Sequence, residues 1–389
     1  MNELVSRMRG FGTTIFAEMS ALAARTGAIN LGQGAPDSDG PTEVLTAAAK
    51  AMAEGHNQYP PGRGIEDLRT AIAEHQQNWY GLTYDPQTEV VVTAGATEGV
   101  AAALLALCHP GDEVLVLEPT YDSYGAAIAL AGGVMVPVRL DHPDYWLDLD
   151  RLRAAVTPRT RLMLINSPHN PSGRVLTPDE LGGIAEVAIE HDLVVICDEV
   201  YEHLTFDGHQ HSPLATLPGM RERTITLSSG GKTFSTTGWK IGWACTTPEL
   251  ATAVNTTKQF LTFTVGGPLQ YGIAAGLRLG RERMLALGTE LQDRRDQLLT
   301  GLRTAGIAVE PSNGTYFLTG DISSIGETDS VSFCLDLPRR CGLVAIPSQA
   351  FYLDPRGVET LVRFTFCKTE QTLTEANRRL ETLSRTSVR

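Results

Sequence analysis

The sequence predicts an α/β protein: a mostly parallel central sheet in a large domain, with a smaller α+β domain closing over it. Three observations lead there. From residue 89 to about 245, uninterrupted apolar runs (VVVTAG, EVLVLEP, RLMLINSP, LVVICDE, TITLSS) alternate with helix-patterned stretches such as 98–108 and 178–191. Strands apolar on both faces, separated by helices, describe a parallel sheet covered on both sides. After about residue 275 the pattern changes to one long Arg/Glu/Leu-rich helix and then short mixed elements. A chain of 389 residues with 42% hydrophobic content can fill two cores of that kind.

Taken in order, residues 1–30 read as an arm. Phe11, Ile15, Phe16, Met19, Leu22 and Ala23 recur at near-helical spacing, and Gly27 stops the helix. NLGQGAPDSDGP must be loop, 42–53 is alanine-rich helix, NQYPPGRG is irregular, and 65–80 is again helix. The large domain covers 31–275, of which 31–40 is expected to pack with the small domain, and the small domain covers 276–389. Its elements are TYFLTG, SVSFCLDLPRRC, LVAIP, LVRFTFC and an amphipathic helix from Leu373, with fraying at the terminal SRTSVR.

Composition excludes several functions. Lys and Arg number 32 against 45 Asp and Glu, a net charge of −13, which disfavours nucleic acid and anionic membranes as partners. No run approaches the roughly 20 apolar residues of a membrane span. The N-terminus lacks the apolar core of a signal peptide, so the expected location is cytoplasmic. Cys108, Cys197, Cys245, Cys334, Cys341 and Cys367 show no CxxC or Cys/His spacing, and no metal site is expected.

In a parallel sheet, ligands bind beyond the carboxyl ends of the strands, where the unusual residues of this chain cluster. Lys232 follows the strand-like run 224–227, set among small residues in SSGGKTFSTTGWKIGW, with a second cation at Lys240. Glycines and hydroxyls around an amine admit a bulky phosphorylated ring, which suits a Schiff-base lysine. Asp198 ends the apolar run LVVIC, and a buried carboxylate there needs a cation such as a protonated pyridine nitrogen. Tyr201 can direct its hydroxyl into the same pocket. In NSPHNPSG, ordinarily only a turn, the Asn170 amide can donate to a phenolate oxygen. Gly95, Ala96 and Thr97 open a helix after a strand, a phosphate-favouring position. Tyr121 and Tyr124 follow a strand end; Tyr121 can stack on a flat ring, and packing is the reading for Tyr124. Arg363, a charge inside the apolar strand LVRFTFC, calls for an anion: an internal salt bridge or a substrate carboxylate.

With these motifs in order, the chain resembles the class I, fold-type I aminotransferases that use pyridoxal 5'-phosphate: NLGQGAPD, NQYPPGRG, TAGATE, EPTYDSY, NSPHNPSG, CDEVYEHL, SSGGKTFSTTGWKIGW and LVRFTFCK. The resemblance implies a transaminase working by two half-reactions. Lys232 forms the Schiff base and carries the proton at Cα, and Asp198 pairs with the ring nitrogen. Asn170 and Tyr201 hold the ring oxygen, and Tyr121 stacks on the ring. Gly95, Ala96, Thr97, Ser229 and Lys240 take the phosphate. It also implies a homodimer with shared active sites, Tyr59 reaching the partner's phosphate. Arg363 clamps the α-carboxylate, with Gly34 against it, Asn170 nearby and Phe16 lining the substrate pocket. Within the family, the lysine segment is similar to the kynurenine and glutamine aminotransferase branch. FAEMSALAARTGAINLGQG and LVRFTFCK are similar to actinobacterial N-succinyldiaminopimelate aminotransferases. Gly230-Gly231 departs from the bulkier residues that precede the lysine elsewhere.

The implied reaction moves an amino group between an L-amino acid and a 2-oxo acid. The donor is N-succinyldiaminopimelate, an aromatic or sulfur amino acid, or a natural-product precursor. Arg63 or Arg174 is a candidate for holding distal carboxylates. The alternative is a cysteine-conjugate β-lyase, since a leaving group at Cβ would be expelled by the same chemistry. A transcription-regulator domain of this fold would need a DNA-binding module, for which a 30-residue arm leaves no room.

Overall fold

A computed structural model describes the backbone of residues 4–386 and side chains to residue 383; the final helix continues through 384–386, where fraying was expected, and 387–389 lie outside the described residues. Seven strands form the main sheet in the spatial order Val90–Ala94, Ile241–Cys245, Thr224–Ser229, Val194–Asp198, Thr160–Asn166, Glu113–Glu118, Val134–Arg139. All run parallel except Ile241–Cys245, which is antiparallel to both neighbours. Valine, isoleucine and leucine dominate these strands, and apart from Arg161 and the edge strand Val134–Arg139 their inner residues are buried.

A second, antiparallel sheet places Leu361–Thr365 between Ile346–Pro347 and Phe317–Asp321, with Ala308–Val309 at its edge. The run LVAIP, read as one element, splits. Leu343–Val344 pairs with Ile29–Asn30, while Ile346–Pro347 joins the four-stranded sheet. SVSFCLDLPRRC forms the helix Ser330–Cys341, with Pro338 inside it. The long helix Arg281–Thr304 packs along Glu370–Thr386.

The segment after residue 30 is stitched to this second sheet. Leu31 N–H donates to the Val344 carbonyl (2.8 Å) and Thr365 N–H to the Leu31 carbonyl (2.7 Å). Lys368 Nζ donates to the Ala35 carbonyl at 2.6 Å.

The first long helix begins at Ile15, later than the apolar spacing from Phe11 predicts, because Thr14 caps it and accepts from Ala17 N–H. Gly27 ends it in the left-handed region, φ 65°. Residues 10–14 are thereby left outside the helix, at the mouth of the cleft described next.

Candidate active site

A cleft of about 820 Å³ lies beyond the carboxyl ends of the main strands and is closed on its far side by Tyr316, Phe317 and Arg363 of the second sheet. All five strand ends singled out in the sequence reach it. The strand Thr224–Ser229 passes directly into a single helical turn, Gly230–Thr233, rather than into an open loop, and that turn carries Lys232. The Gly-Gly pair makes the turn possible. A Cβ on Gly230 would sit 2.5 Å from Ile273 Cδ1, and one on Gly231 would sit 3.1 Å from Thr237 Cα. Lys232 Nζ donates to the Tyr316 hydroxyl (2.8 Å), which donates to the Gly34 carbonyl (2.9 Å). Gly34 is held under Tyr316 and Phe317, where a Cβ would come within 2.5 Å of the Tyr316 ring.

Asp198 is buried at the end of its strand and accepts from the Tyr124 hydroxyl at 2.7 Å. Burial pushes its carboxyl up; the Tyr124 hydroxyl, the Val200 N–H and the charge of Lys232 oppose that rise. Asn166 ties neighbouring ends together, donating to the Asp198 carbonyl and accepting from Asn170 N–H, both at 2.7 Å. Tyr201 is buried, its ring edge-on to Tyr316 at 5.2 Å, with Lys232 Nζ 5.7 Å from its centroid. Tyr121 is half-buried and meets Tyr124 edge-on. Behind the cleft, Ser228 and Tyr80 both donate to Glu202, beside the hydrogen-bonded pair His75 and His203.

At the other end, Gly95 has φ 70° and opens the helix Gly95–Leu107. A Cβ on Gly95 would meet Lys240 Nζ at 2.9 Å, and one on Gly242 would meet Gly95 C at 2.6 Å. Lys240 itself sits at φ 55° and directs Nζ to the Thr97 hydroxyl at 3.4 Å. Ala96, Thr97 and Ser229 line the same cup. Unsatisfied N–H groups, hydroxyls and an ammonium make a donor set suited to a phosphate dianion.

Arg363 is 1% exposed. Its terminal nitrogens donate to Asn170 Oδ1 (2.9 Å) and the Gly32 carbonyl (2.8 Å), while its buried Nε has no protein partner. Phenyl rings of Phe317, Phe351 and Phe16 stand 3.9, 4.8 and 5.1 Å from the guanidinium carbon. Among the described residues it forms no salt bridge, so the internal-pair reading fails. Burial brings its pKa down to about 10.

The model of the family described as aminotransferase class I and II matches residues 26–380. The chain belongs to that family. This aminotransferase is 53% identical to the probable N-succinyldiaminopimelate aminotransferase of Mycobacterium tuberculosis, with 98% of each chain covered. It is 40% identical to the methionine aminotransferase of Escherichia coli over 97% of this chain and 98% of the relative. The solved structure of the Mycobacterium tuberculosis enzyme superposes with a TM-score of 0.95, covering 98% of this chain and all of that one. The fold is therefore fold-type I. These relatives are named as aminotransferases, and the β-lyase alternative finds no support in them.

Members of the family use pyridoxal 5'-phosphate, and the aminotransferase's cleft fits it. A buried carboxylate, a primary amine and a glycine-lined donor cup lie in one cavity that added Cβ atoms would crowd. Lys232, Asp198, Tyr201, Gly95, Ala96, Thr97, Tyr121, Asn170, Ser229, Lys240, Arg363, Gly34 and Phe16 all line it. Tyr59 does not. It is 82% exposed and packs edge-on against Phe263. Arg63 and Arg174 are also elsewhere. Arg63 donates to the Thr88 carbonyl and Thr252, and Arg174 pairs with Glu180 and stacks on Trp146.

Two residues escaped the sequence reading. Tyr316 was read only as part of an apolar strand, and Tyr124 as packing, yet their hydroxyls contact Lys232 and Asp198. A polar tip on an otherwise apolar ring was the available signal. The Glu118–Pro119 and Asn170–Pro171 bonds are cis, as are Ser167–Pro168 and His142–Pro143.

Proposed function

We propose that the aminotransferase moves an amino group between an L-α-amino acid and a 2-oxo acid in two half-reactions at this one cleft. The observation that carries this reading is Arg363, a buried cation with no carboxylate partner among the described residues, in the same cavity as Lys232. An α-carboxylate is the anion common to every donor and acceptor, and a guanidinium is built to meet it.

Pyridoxal 5'-phosphate supplies an aldehyde for amine exchange and an electron sink when Cα loses its proton. Lys232 holds and returns that proton at Nζ, oriented by the Tyr316 hydroxyl. Asp198 is assigned to the cofactor's ring nitrogen, its carboxylate oriented by the Tyr124 hydroxyl. Asn170 and Tyr201 are assigned to the cofactor's ring oxygen and Tyr121 to its face. Gly95, Ala96, Thr97, Ser229 and Lys240 are assigned to the phosphate. Phe16 and Gly34 border the substrate, and the residues around Arg363 exclude water from it.

Residues 276–389, with 31–40, are assigned to a unit that closes on 31–275, supported by the stitching of Leu31, Ala35 and Asp37 to 344–369. A homodimer is supported by the exposed patch Tyr59, Phe260, Leu261 and Phe263, which leaves Tyr59 free to serve a second copy. Six free, buried cysteines fit a cytoplasmic location.

The test is a donor and acceptor screen on the purified enzyme, with sedimentation to give its mass. Transfer from α-amino acids, lost in Lys232→Ala while the phosphate cup still holds cofactor, is expected. Unimpaired turnover by Lys232→Ala would end the assignment, and a monomer active at all concentrations would end the shared-site reading.

A further inference from the structure

Five charged side chains line the cleft: Lys232, Lys240, Arg363, Asp198 and Asp122. The reading above assigns work to all of them except Asp122, on which the present inference builds. Asp122 opens the helix Asp122–Ala131, one residue beyond Tyr121, and is half-buried. Among the described residues its carboxylate forms no ion pair; the neighbouring Ser123 N–H is its local donor. Its charge is felt by Arg363 and Tyr121, which places it on the substrate side of the cavity rather than at the phosphate cup. The rest of that side is apolar or neutral: Phe11, Ile15, Phe16, Phe317 and Ala350.

We propose that Asp122 is a specificity-determining residue, selecting donors whose side chain ends in a neutral or positively charged group and rejecting those that end in a carboxylate. Once Arg363 has taken the α-carboxylate, and with Lys232 and Lys240 assigned to the cofactor, no further cation among the described residues lines the cleft for a second one. Asp122 faces it instead, in a partly desolvated cavity where like charges are costly. A neutral side chain meets phenyl rings, and a terminal ammonium meets the unpaired carboxylate. The relatives' names span both classes, from methionine to an N-succinylated dicarboxylic acid, so family membership leaves the choice open.

As the first residue of a helix, Asp122 also interacts with the helix dipole, but that role is indifferent to the donor. The experiment therefore reads a ratio. kcat/KM is measured for L-norleucine, L-lysine and L-2-aminoadipate, matched in length, with wild type, Asp122→Asn and Asp122→Glu. Wild type is expected to use norleucine and lysine at least tenfold better than aminoadipate. Asp122→Asn should shrink both ratios by about tenfold, and Asp122→Glu should restore them. Ratios unchanged in Asp122→Asn, or a wild-type preference for aminoadipate, overturn the inference while leaving amino transfer in place. No transfer from any of the three donors overturns the donor reading on which it rests.

Discussion

The Tyr124 hydroxyl donates a 2.7 Å hydrogen bond to the carboxylate of Asp198, and both side chains are buried. Seventy-four positions apart in sequence, they meet because the helix after one strand crosses the end of another. Removing the hydroxyl leaves a buried carboxylate short of a donor, a loss of about 1.5–3 kcal/mol for a bond to a charged group. Tyr124→Phe is therefore expected to lower kcat by about 10- to 100-fold. Single-turnover kinetics at saturating donor checks this, and unchanged kcat would reduce Tyr124 to packing.

Arg363→Ala removes a cation held between Asn170 and Gly32. The expected loss in kcat/KM for monocarboxylic donors is about 2–5 kcal/mol, the scale of a truncated buried charge partner. Cofactor affinity, measured by equilibrium titration, should hardly move. Arg363→Lys should recover only part of the loss, because a point charge cannot reproduce the fork.

Gly95→Ala strains a residue at φ 70° and pushes a methyl group to 2.9 Å from Lys240 Nζ. Cofactor binding should weaken by about tenfold or more, while kcat at saturating cofactor stays near wild type. Equal affinity for the cofactor in both proteins would remove the phosphate cup from this end of the cleft.

Acid stability depends on buried histidines. Burial lowers His169 to about 4 and His203 to about 3, so the folded state keeps both rings neutral. The unfolded chain takes up those protons near pH 6.5. Their stabilising neutrality is thus complete above about 6.5 and is lost as pH falls from there toward about 4. Each ring adds up to about 1.4 kcal/mol per pH unit in that window. Denaturant unfolding between pH 7 and 4.5 should show the slope, and His169→Gln should flatten it.

Much of the site was legible in the sequence because its groups sit at strand ends marked by local chemistry. Asp198 closes an apolar run, Gly95 opens a helix, and Lys232 follows a Gly-Gly pair. Such features depend on a few neighbouring residues, so pattern alone exposes them. Helix starts were less legible. Thr14 caps the first long helix three residues after the apolar spacing begins, and that leaves 10–14 to line the cleft.

The sequence by itself determined the α/β architecture, the family, and the lysine, carboxylate and arginine around which the cleft is built. Tertiary structure alone decided how they are partnered. Tyr316 reaches Lys232 across 84 positions, and Arg363, with no acidic partner in a salt bridge among the described residues, is surrounded by phenyl rings from three separate segments. It also turned Arg174 away to Glu180 and left Asp122 lining the cleft without an ion pair among the described residues. Backbone periodicity is a local property, written in adjacent residues. Which polar tip meets which charge depends on how distant elements pack, and no spacing rule carries that information.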